Sequence, residues 1–321
     1  METIAPCNEN KEKKILKILA INVNSIISLY RRNNLNIFLK KQSPDILAIS
    51  ETKLNKNHKL FFENYCIFRN DREKKEGGGT ALLIKKNICC KKISTPSNLE
   101  VIETTMISIK LSQNKIFFII SAYASSSNKS QINNDLNIIS KKLKLEHPDN
   151  SYIIIGDLNS RHSLWNNPKA NYRGRQLKNW IEQNEITLNA KLLHSQIPTF
   201  YNSDSFIDIA IVKSSIKIKE KYLFTLDYES DHRAIGIHVQ LSDKLPVVNS
   251  LNNKVKFNFK KTNTKKFQIN LDSIYTEIIL DNVNLSNSDI DFHIEKLESA
   301  ITKAIEKSTT KFKEINSPIV A

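Results

Sequence analysis

The feature that most constrains this chain is a succession of short, isoleucine-rich apolar runs, each bounded by a polar residue. ILKILAIN ends at Asn22, DILAISE at Glu51, IFFIISAY at Tyr123, and YIIIGDLN at Asp157 and Asn159. Later, FIDIAIV holds Asp208 inside the run, and SDHRAIGIHV carries Asp231 and His232 just ahead of its apolar residues. Runs of this length, rich in β-branched residues and bounded by turn formers, read as buried strands.

Helical stretches lie between them. Ile132, Leu136, Ile139 and Leu143 recur at steps of four, three and four, which paints one helix face. The stretch from about Tyr30 to Gln42, closed by Ser43-Pro44, reads as another, as does Gly174 to Glu185 with Leu177, Trp180 and Ile181. Residues 77–79 are three of the six glycines and read as a turn opening the strand TALLIK. They lack the Lys-Ser/Thr flank of a phosphate-binding loop. Strands mixed with helices from residue 14 to 241 predict a layered α/β domain.

Near Leu241 the composition shifts to Asn, Lys and Ser. Residues 1–13 read as a flexible N-terminus and 242–321 as a linker leading to a helical tail. In that tail Ile290, Ile294, Leu297, Ile301 and Ile305 form an amphipathic stripe, with Ser286 or Ser288 available as its cap. Two readings stand for the stripe: it docks on the main domain, or it belongs to a neighbour outside this sequence.

Composition excludes whole classes. Forty per cent hydrophobic and 25% charged residues build a real core, which excludes wholesale disorder. The longest apolar stretch, Ile116 to Ile120 with Ala122, Tyr123 and Ala124 beyond it, is far short of the ~20 residues that span a bilayer. The start carries no apolar signal core, so the expectation is an intracellular protein without a membrane partner. Cys7, Cys66, Cys89 and Cys90 form no CxxC pair and suit a reducing interior. The net charge of +15 invites nucleic acid. Yet 40 of the 48 cations are Lys, and Lys, Asn and Ile share AT-rich codons, so base composition alone produces the same balance.

The bounded runs offer Asn22, Asn24, Glu51, Tyr123, Asp157, Asn159, Asp208, Asp231 and His232. Carboxylates, neutral oxygen donors and one histidine, with no thiol, favour a hard divalent ion such as Mg²⁺ over zinc. Phosphodiester cleavage needs this toolkit: a carboxylate-held metal, a group that positions water, and donors for the charged transition state. A histidine oriented by a buried aspartate is the usual way to fix a tautomer. Taken singly, each residue has a plain structural reading as a turn, cap or core group. His58, His147, His194 and His238 have no carboxylate motif around them and are given no role.

The ordered set INVNS, SETKL, GGGTALLIK, SAY, IIIGDLNSRHSLW, RGRQL, PTF, FIDIAIV and SDH resembles the endonuclease/exonuclease/phosphatase superfamily. Within it, GDLN followed by Arg-His, Trp165 and NYRGRQL is similar to the endonucleases of non-LTR, jockey-like retrotransposon polyproteins. The resemblance covers residues 14–241. It implies a four-layer α/β sandwich, two packed mixed β-sheets flanked by helices. It also implies that Glu51 and Asp231 bind metal and that Asn22 helps organise metal and phosphate. By the same resemblance Asp157 activates the attacking water, and Asn159 and Tyr123 hold phosphate oxygens. His232 binds phosphate and stabilises the transition state, with Asp208 as its partner, and Thr199 lies beside the site. Asn24 stands where repair members have Asp, which removes one negative charge and argues against abasic-site repair. Arg69, Arg72 and Arg161 stand open between a DNA contact and an ordinary solvated role.

The function expected from the resemblance is an Mg²⁺-dependent endonuclease, with Mn²⁺ as a substitute ion. It would nick one strand of double-stranded target DNA in the nucleus and leave a 3′-hydroxyl for target-primed reverse transcription. FNFKKTNTKKF resembles the connector to a reverse transcriptase in such polyproteins, so that domain and element RNA are expected partners. The alternatives are a catalytically silent DNA-binding remnant and another superfamily phosphoesterase, such as an abasic-site endonuclease.

Overall fold

The computed structural model describes residues 15–72, 77–112, 114–126, 131–241, 262–279 and 300–309, except 302 and 306. The chain divides into two compact units, 1–249 and 250–321. In the first, the strands are β1 (Ile15–Asn22), β2 (Ile46–Ser50), β3 (Tyr65–Asn70), β4 (Thr80–Lys85), β5 (Lys91–Ile93), β6 (Ile102–Lys110) and β7 (Ile116–Ala124). They continue with β8 (Asn150–Asp157), β9 (Ala190–Leu193), β10 (Asp208–Lys213), β11 (Lys217–Ile218), β12 (Phe224–Leu226) and β13 (Ala234–Gln240). The helices are α1 (Leu29–Gln42), α2 (Ile132–Leu143) and α3 (Tyr172–Gln183).

Among the described residues these strands form two mixed sheets. One runs β11-β13-β1-β2-β4-β3, with β12 also on β13, and the other runs β5-β6-β7-β8-β10-β9. Period-two alternation decides which residues meet. Leu16, Ile18 and Ala20 of β1, Ile46 and Ala48 of β2, Phe117 and Ile119 of β7, and Ile153 and Ile155 of β8 share one core between the sheets. The alternate positions face outward. Leu19, Ile21, Leu47 and Ile49 pack with Leu35, Phe38 and Leu39 of α1. Ile120, Ile154 and Ile211 pack with Ile132, Leu136 and Ile139 of α2 and Leu177 and Trp180 of α3. The result is the expected four layers.

The local signals act as the sequence suggests. Ser28 accepts from the Arg31 N–H to open α1, and Ser43, in the left-handed region at φ 43°, closes it. α2 spans the apolar stripe from Ile132 to Leu143. α3 starts two residues earlier than Gly174, because the Asn171 side chain caps it by accepting from the Gly174 N–H. β3, β5 and β6 go beyond the apolar runs, since their half-buried or Thr-rich sequences carry no continuous apolar signal.

The described part of the second unit holds α4 (Thr264–Ile279) and helical residues near 300–308. The stripe residues Ile290, Ile294 and Leu297 lie outside the described residues, as does the N-terminal stretch 1–13. Where the tail helix is described, its buried face runs through Ala300, Ala304 and Ser308, one residue ahead of the expected Ile301 and Ile305. Small side chains let this helix end close against the start of α4, where the Asn263 N–H donates to the Ser308 carbonyl over 2.9 Å. Among the described residues no helix is long and apolar enough to cross a membrane.

Candidate active site

The ends of β1, β2, β7, β8 and β10 and the lead into β13 deliver their polar residues to one place. Asn22 is buried, and its Nδ2 donates to Glu51 Oε1 over 3.1 Å and to Asp157 Oδ2 over 2.9 Å. Its own Oδ1 accepts from the Asn24 N–H. Asn22 therefore presents its nitrogen, not its oxygen, to both carboxylates. The Tyr123 hydroxyl donates to Glu51 Oε1 over 2.7 Å. Burial and then the Glu51 charge and hydrogen bond push the Tyr123 pKa well up, so the phenol stays protonated.

Asp157 and Asp208 face one another as cross-strand partners where β8 ends and β10 begins. Asp157 Oδ1 accepts from the Asn159 N–H, and its Oδ2 accepts from Asn159 Nδ2 over 3.2 Å. His232 completes the group: Nδ1 lies 2.7 Å from Asp208 Oδ2, and Nε2 lies 3.9 Å from Asp157 Oδ2. Burial, then the neighbouring Asp208 charge, raise the Asp157 pKa, against the opposing effects of His232, Asn22 and Asn159. For His232 burial works against the imidazolium, but Asp208, Asp157 and Asp231 outweigh it and raise its pKa to about 9. Asp157 and His232 therefore each hold a proton more readily than the free side chain does.

Asp231 is tied in through Ser230, whose Oγ lies 3.1 Å from Asp231 Oδ1 and donates to the Asn22 carbonyl over 2.8 Å. Thr199 is fully buried, and its hydroxyl accepts from the Ile207 and Asp208 N–H groups. It acts on the site through the backbone of Asp208. Arg72 pairs with Glu103 and lies 5.9 Å from the Tyr123 ring centroid, Arg69 pairs with Asp71, and Arg161 reaches Ser203.

The backbone around the site is strained. Asn24, Ser25, Glu51, Lys53 and Asn159 all have positive φ without being glycine. Such conformations cost about 1–3 kcal/mol each and persist only where the surroundings impose them. The three-glycine turn supplies part of that imposition, since Gly79 and Gly78 carbonyls accept from the Thr52 and Lys53 N–H groups. Gly156, at φ 147°, directly precedes Asp157, and a Cβ there would lie 2.1 Å from the Ala122 carbonyl oxygen. Only glycine lets β8 approach β7 this closely.

Sequence reasoning missed the residues that hold these groups. Lys53 Nζ donates to Asn24 Oδ1 over 2.5 Å and lies 3.5 Å from Glu51 Oε2. A lysine cation thus balances Glu51 and is held in place by the neutral Asn24 amide. Arg173 is buried and donates to the carbonyls of Ala124, Ser125 and Leu158, fastening the ends of β7 and β8. Asn171 Nδ2 donates to the Asn159 carbonyl over 2.8 Å. The Phe200 ring lies 4.8 Å from the His232 ring. The signal was present in ETK, NYRGRQL and PTF, but which atoms meet is not written in those strings.

Residues 117–236 match the endonuclease-reverse transcriptase family. That stretch contains Tyr123, Asp157, Asn159, Asp208, Asp231 and His232. The chain is 25% identical over 314 residues to the probable RNA-directed DNA polymerase from transposon BS of Drosophila melanogaster, covering 94% of this chain and 32% of that protein. It is 23% identical over 169 residues to the RNA-directed DNA polymerase from mobile element jockey of the same organism, covering 52% of this chain and 17% of that protein. The chain thus spans about a third or less of the length of these relatives. Its fold is similar to the AP endonuclease LMAP from Leishmania major, at a TM-score of 0.57 with 15% identity, covering 71% of this chain and 88% of that one. It is also similar to the endonuclease domain of TRAS1, a telomere-specific non-LTR retrotransposon, at a TM-score of 0.54 with 16% identity, covering 71% and 99%. The two-sheet α/β sandwich is therefore a fold shared with these two structures.

The donor set fits a hard divalent ion. It consists of carboxylate oxygens with one imidazole, and among the described residues the buried Asp208 Oδ1 has no hydrogen-bond partner. Ligand atoms of Asp157, Asp208 and His232 lie within 4.8 Å of one another. Within that group His232 bonds Asp208 through Nδ1 and faces Asp157 through Nε2.

Proposed function

We propose that this chain is a divalent-metal-dependent endonuclease that nicks one strand of duplex DNA, as the nuclease part of a non-LTR retrotransposon polyprotein. The observation that supports this most directly is the buried His232–Asp208 pair, with its free Nε2 turned to within 3.9 Å of Asp157. It is the arrangement that general acid–base work on a phosphodiester requires.

Asp208 fixes His232 with the proton on Nδ1 when the ring is neutral. In its charged form the ring donates from Nε2 to a phosphate oxygen and stabilises the negative charge that builds there. Asp157, with its raised pKa, orients the attacking water and accepts its proton; the Asn22 and Asn159 donors keep enough of its carboxylate ionised for this. Asn159 and the protonated Tyr123 hydroxyl would turn from Asp157 and Glu51 to donate to phosphate oxygens when substrate binds. Glu51 and Asp231 would hold Mg²⁺, with Mn²⁺ as a substitute, and the bound ion would neutralise phosphate charge during displacement. Target DNA is the substrate, and a reverse transcriptase domain with its element RNA is the partner that would extend the 3′-hydroxyl.

The test is conversion of supercoiled plasmid to open circle in Mg²⁺ and in EDTA, beside Asp157→Ala. Nicking that needs the ion and disappears in the variant supports the reading. A folded wild-type chain that leaves the plasmid intact would sink it in favour of a silent DNA-binding remnant. Plasmid carrying abasic sites, cut in strong preference to intact plasmid, would instead favour repair chemistry.

A further inference from the structure

Asp208 and His232 come from opposite sheets: one begins β10, and the other leads into β13. Apolar packing between sheets is non-directional, so it cannot by itself hold a 2.7 Å contact between their edges. A directional strut is needed.

The turn from Pro198 to Tyr201 is bonded to both sides. Thr199 Oγ1 accepts from the Asp208 N–H over 3.1 Å. The Tyr201 N–H donates to the Asp231 carbonyl over 3.0 Å, and the Arg233 N–H donates to the Thr199 carbonyl over 2.7 Å. Phe200 forms a bridge with His232 and sets its ring against the imidazole. Both ends of this turn are gripped by one side chain. Arg233 Nη1 donates to the Pro198 carbonyl over 2.7 Å, its guanidinium lies 4.2 Å from the Tyr201 ring centroid, and its Nε is 3.5 Å from Asp227. A planar fork that hydrogen-bonds in its plane and stacks on its face can do this, and a lysine cannot do both.

We propose that Arg233 is a positioning residue: it locks the Pro198–Tyr201 turn and thereby fixes the distance and angle at which His232 meets Asp208. The inference rests on the nuclease reading only where rate is concerned, because the geometry of the pair has its own readout. Arg233 acts through the turn and touches no reacting atom.

The experiment compares Arg233→Ala, Arg233→Lys and Tyr201→Ala with the wild type in two measurements. The first is the downfield proton resonance of the His232 Nδ1–H in metal-free buffer, identified by its loss in His232→Gln. The second is nicking kinetics in Mg²⁺. Arg233→Ala should broaden the resonance by solvent exchange and lower kcat roughly tenfold with KM nearly unchanged, since sub-ångström misplacement acts on the chemical step. Arg233→Lys, which keeps a donor for Pro198, should recover part of both. Should Arg233→Ala fail to fold, the half-exposed Tyr201→Ala decides, with a smaller change in the same direction. A sharp resonance and wild-type kcat in the folded variants would overturn the proposal. A broadened resonance in Arg233→Ala beside a wild type that does not nick would support the positioning role while overturning the nuclease reading.

Discussion

The Asn22 amide donates to Asp157 across the interface between the two sheets, over 2.9 Å and 135 positions of sequence. The same nitrogen also donates to Glu51. One neutral group therefore holds apart two carboxylates that would otherwise repel, and it favours the ionised form of Asp157. Asn22→Ala should lower kcat/KM roughly 10- to 100-fold, matching about 1.5–3 kcal/mol for a lost hydrogen bond to a charged group. Losing that donor raises the Asp157 pKa further, so the acid limb of the pH–rate profile should move to higher pH. A profile that keeps its shape and position would refute the role.

Asp208 orients His232, so Asp208→Asn should hold the ring in place but present the wrong tautomer. Nicking is expected to fall by roughly 10³- to 10⁴-fold, the cost seen when an orienting aspartate is made neutral. Circular dichroism should show an unchanged fold.

The charged His232 also bears on stability. Its folded pKa lies at about 9, above the ordinary 6.5. The stabilisation is fully present below pH 6.5 and is lost as pH rises through about 9, because the folded chain binds the extra proton in that window. In EDTA, the wild-type Tm should therefore decline from pH 6.5 to 9 more steeply than that of His232→Gln. Parallel curves would count against the charged pair.

Divalent ions should stabilise the fold by mass action. At tenfold excess over Kd the gain is about 1.4 kcal/mol, or roughly 3–6 °C in Tm for a domain of this size. Differential scanning fluorimetry with Mg²⁺ or Mn²⁺ should show such a rise in the wild type and little in Glu51→Gln or Asp231→Asn.

Gly174 sits where α3 crosses the loop after β8, and a Cβ there would lie 1.8 Å from the Arg161 carbonyl oxygen. Gly174→Ala must push backbone apart, at a cost of about 3 kcal/mol. Its Tm should drop by roughly 6–12 °C. Because Asn171, in the same segment, bonds the Asn159 carbonyl, nicking measured well below Tm should fall as well.

Much of this molecule is legible in one dimension because strand and helix periodicities are local. Ile18 and Leu19 must face opposite sides of a sheet wherever it packs, and Ile132, Leu136 and Ile139 must share a helix face. Polar residues that terminate or precede buried runs must sit at element ends, which is why Asn22, Glu51, Tyr123, Asp157 and His232 stand out beforehand. The short edge strand β5 and the Thr-rich β6 did not stand out, because what buries them is a neighbouring strand and not their own pattern.

What the chain's own order could not decide is who meets whom. Nothing in the string says that His232 leans on Asp208 while its other nitrogen faces Asp157, that Lys53 balances Glu51, or that Arg173 fastens β7 to β8. These contacts depend on the order of strands within each sheet and on how one sheet lies over the other. Hydrogen bonds and charges act over a few ångströms in space, so the same residues become a site only when packing brings their ends together.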